Sequence, residues 1–203
     1  MIQIVKDSDT RPWFFLQTAH TTYGMRVMET GHLEHLYYGE RITVDSQDPS
    51  SCTPLVIQRA FAPGNTCTYD REHPQISMED VCLEVGTLGR GDIREPFLEV
   101  KFTDGSVTSD FTFDSYEVIT LKEREQCLQA SGLPRSYSEA ETDSAECLKI
   151  VLQDVTNHLE FQLFYTVFEE CDVITRSARL INHSDATVTL ERCLSAQLDL
   201  TED

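Results

Sequence analysis

The sequence has no long apolar run. Nowhere in its 203 residues is there a stretch near the roughly 20 apolar residues that carry a helix across a bilayer. Residues 1–13 hold no apolar core of signal-peptide length. Basic residues are scarce: 16 Lys and Arg stand against 35 Asp and Glu, a formal charge of −19. Such a balance repels phosphate backbones and anionic lipid surfaces, so neither nucleic acid nor membrane is an expected partner. It ordinarily means a solvated, solubilising surface. Cysteine is neither dense nor paired. Cys52, Cys67, Cys82, Cys127, Cys147, Cys171 and Cys193 are scattered, odd in number, and form no Cys-x-x-Cys. A disulfide scaffold or a zinc site needs closer spacing, so reduced thiols in a cytoplasmic protein are expected, with no metal. Gly-x-Ser-x-Gly, His-Glu-x-x-His and phosphate-binding glycine loops are also missing, and no cofactor is expected.

What the chain does have is alternation. From His158 to Phe168, Leu159, Phe161, Leu163, Tyr165 and Val167 point one way, and Glu160, Gln162, Phe164, Thr166 and Phe168 the other. Period two over this length is a β-strand. Glu169–Asp172 interrupts it, and Val173–Leu180 alternates again, setting Ile174, Ala178 and Leu180 against Thr175, Ser177 and Arg179. The pair predicts a long antiparallel hairpin through Asn182. Further strands are expected at Ile2–Val5, Trp13–Leu16, Tyr23–Glu29 with His32–Tyr38 as a tight hairpin, Ser115–Leu121, Cys147–Asp154 and Thr187–Leu200. Asp104-Gly105, between Leu98–Phe102 and Val107–Phe113, predicts another hairpin. Gln126–Pro134 reads as a loop, Tyr137 as the start of a short strand, and Ser138–Glu146 as an acidic surface link. Many strands and almost no helix give an all-β, antiparallel sandwich over residues 1–203.

Between Val44 and Arg94 the periodicity disappears. About fifty residues without pattern are far longer than an ordinary connection. The stretch is not low-complexity and contains Phe61, Tyr69, Ile76, Met78 and Val81. It predicts an ordered excursion that packs against something, inside the chain or outside it, with a helical turn within Ser77–Leu83.

Candidate chemistries each have a simpler explanation. His32, Glu34 and His35 cannot converge on a metal from one strand, because His35 points away from the other two. Arg90-Gly91-Asp92 spells an adhesion tripeptide, but its glycines read more simply as a sharp turn. A retaining glycosidase needs two carboxyl groups about 5 Å apart, and no acid here sits in a context that raises its pKa. No catalytic constellation emerges from the residues.

Several segments, in order, are nevertheless specific. His32–Gly39 (HLEHLYYG), Gln58–Pro63 (QRAFAP), Gly89–Pro96 (GRGDIREP), Gly132–Tyr137 (GLPRSY), the Leu148–Asp154 strand and Asp172–Arg179 (DVITRSAR) span nearly the whole chain. Together they resemble the N-terminal domain of glycoside hydrolase family 36 α-galactosidases. The resemblance implies a partial β-supersandwich, incomplete at its C-terminal end. In the family a (β/α)₈ barrel carrying both catalytic aspartates follows, then a small β-sandwich. Family members remove terminal α-galactosyl residues from raffinose- and melibiose-type oligosaccharides with retention. The implied partners are galactosides, the chain's own barrel and neighbouring subunits of a homotetramer. No catalytic residue is assigned in this chain, and the isolated chain is expected to be inactive. In tetrameric members an acidic residue directly before the Arg of the Arg-Ala-Phe motif touches substrate across a subunit interface. Here the pair is Gln58 and Arg59, so hydrogen bonding is kept and the charge is lost. The alternative is a free-standing carbohydrate-binding sandwich that uses Trp13, Tyr37, Tyr38 and Tyr69. A third expectation is self-association through unpaired strand edges.

Overall fold

The computed structural model describes residues 1–6, 11–56, 67–129 and 145–198. Strands β1 (Ile2–Lys6), β2 (Pro12–Gln17), β3 (Thr21–Val27) and β4 (Leu33–Glu40) form one antiparallel sheet in sequence order. A second antiparallel sheet takes β6 (Thr112–Thr120), β7 (Glu146–Asp154), β8 (Leu159–Phe168) and β9 (Val173–Asn182), also in order. Between them in sequence, β5 (Leu98–Lys101) pairs with β10 (Thr189–Cys193) as a two-stranded ribbon. The architecture is the expected all-β antiparallel sandwich.

The period-two pattern sets the layers. Phe14 and Leu16 of β2, Met25 and Val27 of β3, Leu148, Ile150 and Leu152 of β7, and Leu159, Phe161, Leu163, Tyr165 and Val167 of β8 share one core. Alternation alone would leave the opposite faces wet, but here both are covered. Trp13 and Phe15 of β2 pack with Val5, Leu36 and Cys52, closed over by Val44, Leu55 and Val56. Cys52 and Leu55 sit on a 3₁₀ helix, Pro49–Leu55, whose first turn is capped by the Asp48 carboxylate accepting from the Ser50 N–H at 3.0 Å. Behind β8, Phe164 packs with Ile119 and Cys147, and Phe168 with Leu121 and Ala145.

Leu121 opens α1 (Leu121–Gln129), a helix where a strand end and a loop were expected. The cause is local. Thr120 and Glu123 form a capping box: the Glu123 carboxylate accepts from the Thr120 N–H at 2.8 Å, and the Thr120 hydroxyl accepts from the Glu123 N–H at 3.3 Å. Good helix formers follow in LKEREQ. The polar face of β9 meets this helix, with Arg124 donating to the Ser177 hydroxyl and Arg179 to the Cys127 carbonyl, both at 3.3 Å.

Two further expectations are corrected. The Asp104-Gly105 turn forms, with Gly105 at φ 85° and the Phe102 N–H bonded to the Ser106 carbonyl at 2.9 Å. It does not make a hairpin, because Ser109 is taken by the excursion: its N–H bonds Leu88 and its carbonyl accepts from Thr87. β5 pairs with β10 instead. The final strand is only Thr189–Cys193. A register shift between Leu190 and Arg192 disturbs it, and Gln197 then turns back to accept from the Gly86 N–H at 2.9 Å. The strand expected from Tyr137 and most of the acidic link lie outside the described residues.

The β3–β4 and β8–β9 hairpins form as expected, with a register shift between Gly24 and Met25 in the first. The excursion is ordered where it is described, and it packs on this chain. Met78, Val81 and Leu83 bury against Met28, with a short 3₁₀ turn at Met78–Asp80. Residues 82–84 then run along the free edge of β4, with the His35 N–H bonded to Cys82 and the Glu84 N–H to Leu33. Gly89 and Gly91 take φ 96° and 93°, so the adhesion-like tripeptide is a turn.

Candidate functional site

Running along β4 delivers Glu84 into the space between the two sheets, where it has no exposed surface. A charge there must be paired or bonded. The first sheet supplies Tyr23 and His35. The Tyr23 hydroxyl donates to Glu84 Oε1, and His35 Nδ1 stands 3.3 Å from the same oxygen without hydrogen-bond alignment. The second sheet supplies Tyr165 and Arg176. The Tyr165 hydroxyl donates to Oε2 at 2.6 Å, Arg176 Nη1 lies 3.7 Å from that oxygen, and Nη2 donates to the Glu84 carbonyl at 2.8 Å. The guanidinium also lies over the rings of Phe97 and Tyr165, at 4.8 and 5.4 Å. Glu84 is thus the polar bridge between the sheets.

The electrostatics are those of a stable ion pair. Burial pushes the Glu84 carboxyl up, but His35, Arg176 and the two phenols outweigh it, and the net shift is downward. Burial and then the Glu84 charge push the Tyr23 and Tyr165 phenols far up, so both remain protonated donors. The carboxylate is shifted down and both phenols up, each away from neutrality, which fits a structural role.

A second cluster lies at Asp110. Its carboxylate contacts His32 Nε2 at 2.9 Å and Arg90 at 2.8 Å, and accepts from the Tyr69 hydroxyl at 3.0 Å. The Asp110 N–H is bonded to the Asp154 carboxylate at 3.0 Å. His32 therefore faces Asp110, Glu34 faces Arg26 at 2.7 Å, and His35 faces Glu84, so the three candidate ligands have three separate partners.

Gln58 and Arg59 fall in 57–66, outside the described residues. Their flanks are described. Leu55 and Val56 lean on the Trp13–Phe15 cluster, and Tyr69 is held by Asp110. Of the four aromatics considered for a sugar-binding face, Trp13 is only 7% exposed and lies beneath Arg26, whereas Tyr38 is 52% exposed. Glu84 and Arg176 were not singled out by the sequence. The signal for Arg176 was available, since period two places it with Ile174, Ala178 and Leu180 on the apolar face of β9, where a charge demands a buried partner.

Residues 31–203 match the glycosyl hydrolase family 36 N-terminal domain. The chain belongs to this family. It is 39% identical over 191 residues to the bifunctional α-galactosidase/sucrose kinase AgaSK of Mediterraneibacter gnavus, a match covering 93% of this chain and 19% of that protein. The crystal structure of the α-galactosidase from Lactobacillus brevis superposes with a TM-score of 0.81 at 32% identity, over 97% of this chain and 24% of that one. An α-galactosidase AgaA variant of Geobacillus stearothermophilus, solved with raffinose, gives a TM-score of 0.74 at 27% identity over 91% of this chain and 24% of its own. The family 36 domain described here thus spans about a fifth to a quarter of the length of these relatives.

Proposed function

We propose that this family 36 domain is the non-catalytic N-terminal portion of an α-galactosidase, one that removes terminal α-galactosyl residues from raffinose- and melibiose-type oligosaccharides with retention. The observation that carries this is the family match over residues 31–203, supported by relatives that are α-galactosidases along almost all of this chain. In this reading the sandwich scaffolds a catalytic barrel and contributes to a homotetramer. The segment bearing Gln58 and Arg59 forms part of the rim of a neighbouring subunit's sugar pocket. Seven scattered cysteines, odd in number and without a Cys-x-x-Cys, support a reducing, cytoplasmic setting.

The test begins with the reading frame that encodes residues 1–203, which is expected to continue into a barrel with two catalytic aspartates. The full product is expected to release galactose from raffinose, and residues 1–203 alone to release none. Gln58→Ala in the full product is expected to raise KM more than it lowers kcat, as loss of a uniform binding contact does. Turnover by residues 1–203 alone, abolished by one Asp or Glu substitution, would overturn the proposal.

A further inference from the structure

One described part of the excursion rests on the sandwich by very little. From Cys67 to Ile76 no residue is buried and none lies in a strand or helix. Among the described residues, its hydrogen bonds to the sandwich come from two side chains. The Tyr69 hydroxyl donates to Asp110 Oδ2 at 3.0 Å, and Gln75 Nε2 donates to Glu29 Oε1 at 3.1 Å on the exposed surface. Its backbone bonds turn inward: the Tyr69 N–H meets the Ile76 carbonyl at 2.8 Å, and the Ile76 N–H the His73 carbonyl at 3.1 Å. Beneath it lies an apolar face. Tyr69 and Ile76 pack over Met28, Met78, Val81 and Leu83, leaving Met28 7% and Met78 1% exposed. That face is held by other means. Arg94 donates to the Met78 and Val81 carbonyls, and the His35 N–H to that of Cys82. Firm attachment therefore begins at Ser77, which is buried.

The Tyr69 ring sits between His32, edge-on at 4.9 Å, and the Arg90 guanidinium at 4.8 Å, and both of these also contact Asp110. Burial pushes the Asp110 carboxyl up, but the contacts from His32, Arg90 and Tyr69 outweigh it and hold it below the usual range. The carboxylate is thus charged at neutral pH, and a hydrogen bond to a charged acceptor is the strong kind. Segments with few buried contacts open at a free energy well below that of global unfolding. We propose that residues 67–76 form a strap, latched by Tyr69 on Asp110, that detaches as one unit and uncovers Met28 and Met78 while both sheets stay folded. The strap is built from described residues and does not rest on the role proposed for Gln58.

The test is oxidation of the 203-residue chain by dilute hydrogen peroxide, followed by peptide mass spectrometry. Peroxide transfers one oxygen atom to the thioether sulfur and leaves water. This step is slow beside reclosing, so the rate at each methionine follows the population of the state that exposes it. Met25, with no exposed surface in the central core, reports global unfolding. Met78 is expected to oxidise at least about tenfold faster than Met25, with a shallower dependence on urea. Tyr69→Phe keeps the ring and removes the hydroxyl; it is expected to speed Met78 oxidation and hydrogen exchange at the Ile76 amide about tenfold. Phe164→Leu loosens the far side of β8, where the strap makes no contact, so it destabilises the latched and unlatched forms alike. It is expected to speed Met25 about tenfold and to leave Met78 unchanged. Equal rates at Met78 and Met25, a Met78 rate that rises with Met25 in Phe164→Leu, or no effect of Tyr69→Phe on Met78 overturns the proposal.

Discussion

Replacing Glu84 with Gln keeps the side chain's shape and removes its charge. The carboxylate has no exposed surface and receives Tyr23 on one oxygen and Tyr165 on the other. Gln offers one oxygen where two phenols point, and Arg176 loses the carboxylate that offsets its charge. Removing one partner of a buried ion pair costs about 3–5 kcal/mol. A phenol can rotate to a new acceptor, so its share is small, and about 4 kcal/mol is expected in total. At a urea slope near the upper end for small proteins, about 2.7 kcal/mol per molar, the unfolding midpoint falls by about 1.5 M. Trp13 is buried, so its fluorescence reports the transition. The double variant Glu84→Gln with Arg176→Gln removes both charges and is expected to be more stable than the sum of the single losses, by about 1 kcal/mol or more. The pH dependence follows from the downward shift of the Glu84 carboxyl. Between its folded and unfolded pKa values the unfolded chain binds more protons. The stabilisation is therefore full above the unfolded value and lost as pH falls through the folded one. Wild-type stability should drop more steeply than that of Glu84→Gln as pH falls below about 5. A loss under about 0.5 kcal/mol, typical of surface positions, or an additive double variant would refute the idea that this pair bridges the sheets.

Two further predictions probe the rest of the framework. Phe164 is fully buried behind β8, and Phe164→Ala is expected to cost about 3–5 kcal/mol in urea unfolding; a loss below about 1 kcal/mol would mean that this outer face is not a packed layer. Gly89 and Gly105 have similar positive φ, 96° and 85°, but a Cβ at Gly89 would run into the Thr108 side chain whereas Gly105 has nothing within 4 Å. Gly105→Ala is expected to cost only the left-handed backbone penalty of about 1–2 kcal/mol, and Gly89→Ala measurably more; equal melting temperatures for the two would show that the Thr108 contact carries no weight.

The fold was legible wherever a residue's environment is set by near neighbours. The alternation of Leu159–Val167 and the break at Glu169–Asp172 placed the longest hairpin. The same logic misjudged α1, because a helix that begins directly off a strand has no intervening turn residues to announce it. Thr120-Leu-Lys-Glu123 was the available signal, and the two aromatics on the nominally polar side of β8, Phe164 and Phe168, were its tertiary counterpart. The Asp104-Gly105 turn was read correctly and its pairing was not. Turn chemistry fixes local geometry, whereas the partner of Ser109 lies some twenty residues away in a stretch with no periodicity. The Glu84 cluster was out of reach for the same reason. Its five side chains come from residues 23, 35, 84, 165 and 176, and no spacing rule links them.

The aperiodic stretch now has a structural logic that its composition could not supply. A segment that must cross between two sheets cannot alternate, because each of its residues meets a different surface. Its described parts are fixed by polar contacts to the sandwich: Tyr69 and Arg90 on Asp110, and Glu84 on both sheets. Asp92 closes the same region by pairing with Arg94 at 2.9 Å, and Arg94 Nη2 donates to the Met78 and Val81 carbonyls. Apolar contacts alone would hold such a segment loosely in direction, since burial is nearly indifferent to orientation. Hydrogen bonds to buried charges are directional and stronger than neutral ones, so they fix backbone position as well as depth. On the near side of 57–66 the chain leaves a 3₁₀ helix capped by Asp48, and on the far side it arrives at Tyr69. The sandwich thus positions the described backbone on both sides of 57–66 through directed polar contacts as well as burial.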